Sequence, residues 1–186
     1  RYCRRHPGEL IHIDIKKLGR FNKPGHRVTG RGPGNYNHRV GWEAVHVCVD
    51  DTSRVAYVEV LPDQTTATCI GFLDRAIAWF ADHGITVERV MTDNGSAYVS
   101  KAWAEHCTRI EVRHLRTRPY RPRTNGKAER FIQTMLKEWA YAAVYQTSEQ
   151  RRHALEPWVW RYNNQRLHSA LGHKPPISRL HQEDDN

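Results

Sequence analysis

Three acidic residues stand where a carboxylate could do chemistry. Asp14 lies in the middle of ELIHIDIKK (9–17), on the polar face of an alternating segment whose other face is Ile11, Ile13 and Ile15. Asp93 closes the apolar run ITVERVMTD (85–93) and precedes Asn94-Gly95, a tight-turn pair that leaves its carboxylate at a sheet edge. Glu129 stands near the start of the strongest amphipathic segment, beside its apolar stripe and directly after a cationic loop. Taken singly, each has an ordinary explanation: a solvent-facing strand residue, a turn former, a carboxylate favoured by the helix dipole. As a set they suit a hard divalent cation, because magnesium takes oxygen ligands, keeps several waters and needs only two or three carboxylates to be held against a phosphate. Two such ions about 4 Å apart activate an attacking oxygen and stabilise a leaving one in phosphodiester chemistry. Asp50 and Asp51 are rivals at a strand end. They rank lower because Asp51-Thr52-Ser53-Arg54 already explains them as turn formers.

The elements that must position these groups follow from the hydropathy pattern. Residues 9–17 read as a strand with one face on the core; 43–51 and 55–61 read as two more, joined as a hairpin by 51–54. The stretch between them, 19–39, is rich in glycine and contains Arg20, Lys23, Arg27, Arg31 and Arg39; it is expected to be a long loop or β-excursion. Thr65 or Thr66 caps a helix to about His83, followed by Gly84. Residues 85–93 read as a strand, Ser100 to about Thr108 as a short helix, and Ile110–Leu115 as a further strand. Residues 116–126 form an arginine- and proline-rich loop, and 126 to about 145 form the clearest helix, with Asn125-Gly126 able to cap it. A last helical stretch, 149–167, is expected to kink or restart at Pro157, and the tail from His181 to be loose. The Trp and Tyr residues at 139, 141, 145, 158, 160 and 162 have helical spacing and read as packing residues. Three strands in hairpin order, then alternating helices and strands, make an α/β domain around a mixed sheet.

Composition narrows the partners. The chain has 186 residues, 29 Lys+Arg against 20 Asp+Glu, and a formal charge of +9, so a polyanion is the expected partner. Eight basic residues between 109 and 130, against Glu111 and Glu129 alone, give +6 around one candidate carboxylate. That is the charge pattern of a phosphate-gripping surface, though a merely solvated cationic loop has the same composition. No apolar run exceeds seven residues, so no membrane partner is expected. The four cysteines form no C-x-x-C pair and none of the 12 histidines forms H-E-x-x-H, so neither pattern supports a zinc site. The chain opens at Arg1 without a signal-peptide pattern, so an intracellular fragment of a longer protein is expected.

At this point three ordered blocks resemble a known family. HIDIKKLG (12–19), MTDNGSAY (91–98) and RPRTNGKAERFIQTMLKEW (121–139) look like the catalytic core of bacterial insertion-sequence transposases, of the retroviral-integrase superfamily. Thirty-five residues separate Asp93 from Glu129, the spacing that names the D,D,35,E signature, and YNNQRLHSALGHKPP (162–176) resembles the segment closing this core. The resemblance implies a ribonuclease H-like fold: an α/β mixed sheet, three antiparallel strands then parallel strands, flanked by helices. It implies a catalytic core over 1–147, a helical extension with a polar tail over 148–186, and an N-terminal DNA-binding region outside this chain. It further implies that Asp14, Asp93 and Glu129 are catalytic and hold two Mg²⁺ (or Mn²⁺) ions, with no small-molecule cofactor. The activity implied is phosphodiester cleavage followed by strand transfer of a 3′-hydroxyl. The partners implied are DNA, as element ends and target, and further copies of the chain on DNA. The localisation implied is cytoplasmic, with the bacterial nucleoid. Arg116, Arg118, Arg121, Arg123, Asn125, Lys127, Arg130 and Lys137 are the candidate DNA contacts. The chain departs from the family in two places: Gln133 stands one turn after Glu129 where a basic residue is common, and no Trp lies just upstream of Asp14. A catalytically inactive DNA-binding or assembly module of the same fold, and a nuclease that cuts without joining, are the alternatives.

Overall fold

The computed structural model of the protein describes residues 4–30, 32, 40–117 and 125–180. Arg31, Arg39, Arg118, Arg121, Arg123, the side chain of Arg27 and the tail from His181 lie outside the described residues.

Alternation in the first segment produces strand β1 (Ile11–Gly19), which pairs antiparallel with β2 (Trp42–Asp50). Residues 51–54 turn the chain into β3 (Ala56–Leu61), antiparallel to β2. Between β1 and β2 lies one short helix, α1 (His26–Thr29). Strands β4 (Arg89–Thr92) and β5 (Arg113–Arg116) join parallel on the other side of β1, giving the order β3-β2-β1-β4-β5. This is the mixed sheet expected, with β1 at its centre.

Helices cover both faces. Helix α2 (Thr66–Asp82), capped by the Thr65 hydroxyl, lays Phe72, Leu73, Ala76 and Phe80 against Ile11, Ile13 and Cys48, and α3 (Lys101–Arg109) adds Trp103 and Cys107. On the opposite face, Phe131, Ile132 and Met135 of α4 (Gly126–Met135) meet Val45, Val47 and Val49. The chain returns through α5 (Ser148–His153) and α6 (Leu155–Asn164), whose Leu155, Trp158 and Tyr162 complete this second layer. A buried ion pair joins α5 to the sheet: Arg151 Nη2 donates to Glu43 at 2.6 Å and to the Gly19 carbonyl at 2.9 Å.

Several elements differ from expectation for identifiable reasons. Strand β4 is confined to 89–92 because β1 begins at Ile11; residues 85–88 run past its end, where the Gly8 carbonyl accepts from Glu88 N–H instead. Residues 110–112 finish α3 rather than start β5, with Glu111 at φ 57° and Val112 N–H donating to the Cys107 carbonyl. The long helix from 126 stops at 140: after Met135 it widens into a π-helical turn (Leu136–Ala140), keeping Trp139 and Ala140 buried while Ala142 and Ala143 are exposed. The last helical stretch breaks at Ala154, so Pro157 falls in the first turn of α6, where its missing N–H costs nothing. Among the aromatics read as packing, Trp139, Trp158 and Tyr162 are buried, but Tyr141 and Trp160 are exposed.

Candidate active site

Strand β1 carries Asp14 on the face opposite Ile13. In register it lies across from Val47, which belongs to the layer covered by α4, so the Asp14 carboxyl is on the α4 side of the sheet. Its Oδ1 accepts the Ile15 N–H at 2.7 Å. Burial, together with the charges of Asp93 and Glu129, raises its pKa from an ordinary 3.8 to about 6. Asp93 follows β4 and is exposed; its Oδ1 accepts the Gly95 N–H at 2.9 Å, an Asx turn that fixes the carboxylate. A Cβ on Gly95 would lie 3.0 Å from that oxygen, so any larger residue would push the carboxylate aside. Glu129 lies exposed in the first turn of α4, near the helix's positive end.

The fold therefore brings Asp93 and Glu129 each within range of the charge of Asp14. Among the described residues, no three carboxylate, imidazole or thiol groups are close enough to chelate one ion by themselves. The donor set nonetheless fits magnesium, being all oxygen and lacking a basic partner strong enough to hold Asp14 at its ordinary pKa. Water and phosphate oxygens would complete the coordination of any ion held there.

A second group of polar residues lies on the same side of β1, and sequence reasoning missed it. His12, two residues before Asp14 and 3% exposed, joins Nε2 to Asp51 Oδ1 at 2.8 Å and Nδ1 to Asn125 Oδ1 at 3.1 Å. Asn125 in turn donates to the Ile13 carbonyl at 3.4 Å. The Lys127 ammonium closes the set with an ion pair to Asp51 and a 3.1 Å hydrogen bond to the Asp51 carbonyl. Asp51 is buried, yet the hydrogen bonds from His12, Lys127 and the Arg4 N–H hold its carboxyl well below the usual carboxylate range. Asp50, also buried, accepts from Gly8, Thr52 and Ser53. The turn reading of 50–54 is right for Asp50 and incomplete for Asp51, which ties β1, the β2–β3 turn and the start of α4 together. Asn125 does precede α4, but its side chain makes no capping bond; it is spent on His12 and Ile13.

The other candidate contacts are dispersed. Arg116 ends β5 and is exposed, as are Arg130 on α4 and Lys137 in the π-helical turn. Asn125 is buried and Lys127 is turned onto Asp51. His114 meets Thr92 Oγ1 at 2.8 Å, and burial with nearby Arg116 lowers its pKa.

Comparison with known proteins agrees with this fold. A family profile described as "Integrase core domain" matches residues 4–122, and a second of the same description matches 110–176. A putative integrase ORF3 of Spiroplasma virus SpV1-C74 is 26% identical over 149 residues, 73% of this chain and 41% of that protein. An uncharacterized 39.2 kDa protein of insertion element IS476 from Xanthomonas euvesicatoria is 29% identical over 134 residues, 72% of this chain and 34% of that protein. The chain thus spans less than half the length of these relatives. The magnesium-bound catalytic core domain of HTLV-2 integrase superposes with a TM-score of 0.64 at 18% identity, covering 95% of this chain and 98% of that one. A chain of the simian T-cell lymphotropic virus intasome in complex with PP2A regulatory subunit B56 gamma gives 0.70 at 21% identity, covering 100% of this chain and 59% of that one. No helix among the described residues is long and apolar enough to cross a membrane. With a five-stranded mixed sheet of ribonuclease H-like order and the family profile matched over 119 residues, the chain belongs to the integrase core domain family.

Proposed function

We propose that this chain is the catalytic core of a DNA transposase or integrase, a metal-dependent polynucleotidyl transferase. The observation that carries the reading is the placement of Asp14: a half-buried carboxyl on the α4 face of the central strand, close enough to Asp93 and Glu129 for the charge of each to oppose its ionisation. In this reading Asp14, Asp93 and Glu129 would hold two Mg²⁺ (or Mn²⁺) ions, which when bound would activate the attacking oxygen and stabilise the leaving one. Asp14 must release its proton to serve as a ligand, which couples metal binding to pH.

The substrate chemistry is two in-line displacements at phosphorus. Water opens a phosphodiester at an element end and leaves a 3′-hydroxyl; that hydroxyl then displaces a 3′-oxygen in the target strand. The protein contributes position rather than a covalent intermediate. Arg116, Arg130 and Lys137 are proposed phosphate contacts, together with Arg118, Arg121 and Arg123 of the loop before α4. The buried set His12–Asp51–Lys127–Asn125 fixes the start of α4 against β1, and with it Glu129 relative to Asp14. Recognition of element ends is assigned to parts of the protein outside this chain, so this core binds DNA with little sequence preference and steep salt dependence. A homo-oligomer working on paired DNA ends in the bacterial nucleoid completes the proposal; the relative from an insertion element and the structural likeness to an intasome chain support it.

The test compares the parent with Glu129→Gln on an oligonucleotide carrying an element end, in Mg²⁺ and in Mn²⁺. Loss of cleavage and strand transfer with retained DNA affinity is expected. Full activity in the variant would remove Glu129 from the mechanism, and no carboxylate-dependent metal binding in the presence of DNA would favour a non-catalytic module.

A further inference from the structure

Of the three carboxylates, Asp14 stands in a strand and Glu129 in a helix, whereas Asp93 lies one residue past the end of β4. The β4–β5 ladder closes at Thr92, paired with Arg116, and the Thr117 N–H donates to the Thr92 carbonyl at 3.0 Å. Beyond that point side chains tie the turn down. Two of their bonds are exposed: the Asx turn to Gly95, and the Asn94 amide donating to the Thr117 carbonyl at 3.0 Å. A third comes from inside the protein. Thr92, fully buried, donates its hydroxyl to the Asp93 carbonyl at 2.9 Å and meets His114 Nε2 at 2.8 Å.

Register explains why a histidine of β5 reaches this point. Val90 lies across from His114 and Thr92 across from Arg116, so His114 and Thr92 are diagonal neighbours on the face that α2 and α3 cover, opposite to Asp14. The fully buried Trp103 ring stands edge-on to His114, centroids 5.6 Å apart, and edge-on to Tyr98 at 4.8 Å. Tyr98 in turn backs the turn itself, since a Cβ on Gly95 would lie 3.5 Å from its ring. The imidazole is thus wedged in place behind Asp93. Burial and the charge of Arg116 disfavour its protonated form, leaving a neutral ring with a single N–H. A hydroxyl has one proton to give. With the ring proton on Nε2, the Thr92 hydroxyl is free to donate to the Asp93 carbonyl; a bare Nε2 would draw that proton away.

We propose that His114 is a positioning residue: through the Thr92 hydroxyl it fixes the main chain of Asp93, and with it the aim of the Asp93 carboxylate toward the Asp14 side of the sheet. The inference rests on the reading of Asp93 as a metal ligand and adds the group that holds that ligand still. A buried hydrogen bond keeps its geometry where exposed ones compete with water. Because His114 acts from the opposite face, its effect passes through the backbone and not through a contact with DNA.

The test uses the whole chain and an oligonucleotide carrying an element end. His114→Leu keeps apolar bulk against Trp103 but removes the donor, His114→Gln offers an amide N–H in place of Nε2, and Thr92→Val removes the hydroxyl with little change of shape. His114→Leu and Thr92→Val are each expected to lower kcat, and the Mn²⁺ affinity measured by calorimetry with DNA present, by about 10- to 100-fold, with KM and DNA affinity unchanged. His114→Gln should recover most of the loss. Since both residues act on one bond, His114→Leu with Thr92→Val should lose no more than the worse single variant. In metal-free protein the Gly95 amide, which donates to the Asp93 carboxylate, should exchange with solvent faster in His114→Leu than in the parent. Melting curves check folding, and if His114→Leu does not fold, Thr92→Val carries the same readouts. A variant that melts lower yet keeps the parent's kcat, Mn²⁺ affinity and Gly95 exchange makes His114 a packing residue and overturns the inference, leaving the proposed function standing. Additive losses, or no recovery with Gln, overturn it as well. A parent that neither cleaves DNA nor binds Mn²⁺ defeats the proposed function first, and the role of His114 with it.

Discussion

Two carboxylates on the α4 side of the sheet are separated by about four residues of the β1 register and by opposite electrostatics. Asp51 is fully buried and surrounded by donors from His12, Lys127 and Arg4; its pKa is driven down. Asp14 is less buried, has one backbone donor and faces Asp93 and Glu129; its pKa is driven up to about 6. Burial opposes ionisation at both, so the difference lies in the company each keeps. The first carboxylate is finished by the fold and acts as structure. The second is left incomplete, which is the condition of a group that takes its partner from solution.

The strongest break in that comparison is Asp14→Asn. If Asp14 anchors the ions, cleavage falls by about a thousandfold or more, since the charge stabilisation supplied by bound metal is worth several kcal/mol. The same variant should melt no lower than the parent in metal-free buffer at pH 7.5, because it removes a charge that its neighbours repel. Strand-transfer assays and a thermal melt on one preparation check both halves. A variant that loses stability along with activity would place Asp14 in the structural class.

Asp51→Asn should behave in the reverse way. Removing one member of a buried ion pair leaves its partners uncompensated, at about 3–5 kcal/mol. Because Lys127 retains 22% side-chain exposure and can reach water, the lower end, about 3 kcal/mol, is expected. That corresponds to a melting point lower by roughly 6–12 °C in a chain of this size. Adding Lys127→Met should recover part of the loss, as it removes the stranded cation. No change in either variant would mean that the pairing contributes nothing net.

The pH dependences of the two groups run in opposite directions. A carboxyl whose folded pKa is raised favours the folded state while protonated. The Asp14 contribution is therefore complete below its ordinary 3.8 and is lost as pH rises through about 6. The lowered pKa of Asp51 gives stability that is present above the ordinary carboxylate pKa and is lost as the solution becomes more acid. Metal-free protein should thus lose melting temperature between about pH 4 and 7 through Asp14, and Mg²⁺ or Mn²⁺ should restore it mainly above pH 6. Melting curves with and without metal across this range test it. A metal effect equal at pH 5 and pH 7.5 would detach Asp14 from the ion.

The two sites were unequally legible in the sequence. The alternation at 11–15 gave β1 and the face of Asp14, and Asp93-Asn94-Gly95 gave the turn, because both patterns are local. Glu129 was legible through the amphipathic start of α4. The Asp51 set was not. Its partners His12 and Lys127 lie 39 and 76 positions away, and a residue forming a turn gives no sign that its carboxyl also reaches another strand and a helix. The available signal was His12, a polar residue on the same face as Asp14 in a strand otherwise set in the core. Strand ends at 85–88 and the helix end at 140 failed for a related reason. Periodicity reports which residues are buried, whereas where a strand begins to pair, or a helix widens around a Trp, is decided by neighbours distant in sequence.

Asn125 gives the finest test, because it belongs to the buried Asp51 set and also reaches the strand that carries Asp14. Its Oδ1 accepts from His12 Nδ1 on one side, and its Nδ2 donates to the Ile13 carbonyl, one residue from Asp14, on the other. Asn125→Ala loses two hydrogen bonds of which one is long, so a stability loss of only about 1 kcal/mol is expected. Its effect on activity should be larger in proportion, about 10- to 100-fold, because support behind a metal-holding shell sets the distance between its ligands. Since Asn125 is buried and its side chain is spent on His12 and Ile13, the loss should appear in kcat with DNA affinity unchanged. Asn125→Asp, which keeps an acceptor for His12, should recover part of it. A loss confined to DNA affinity would instead make Asn125 a contact to the nucleic acid, and the buried set would then stabilise the fold without tuning the site.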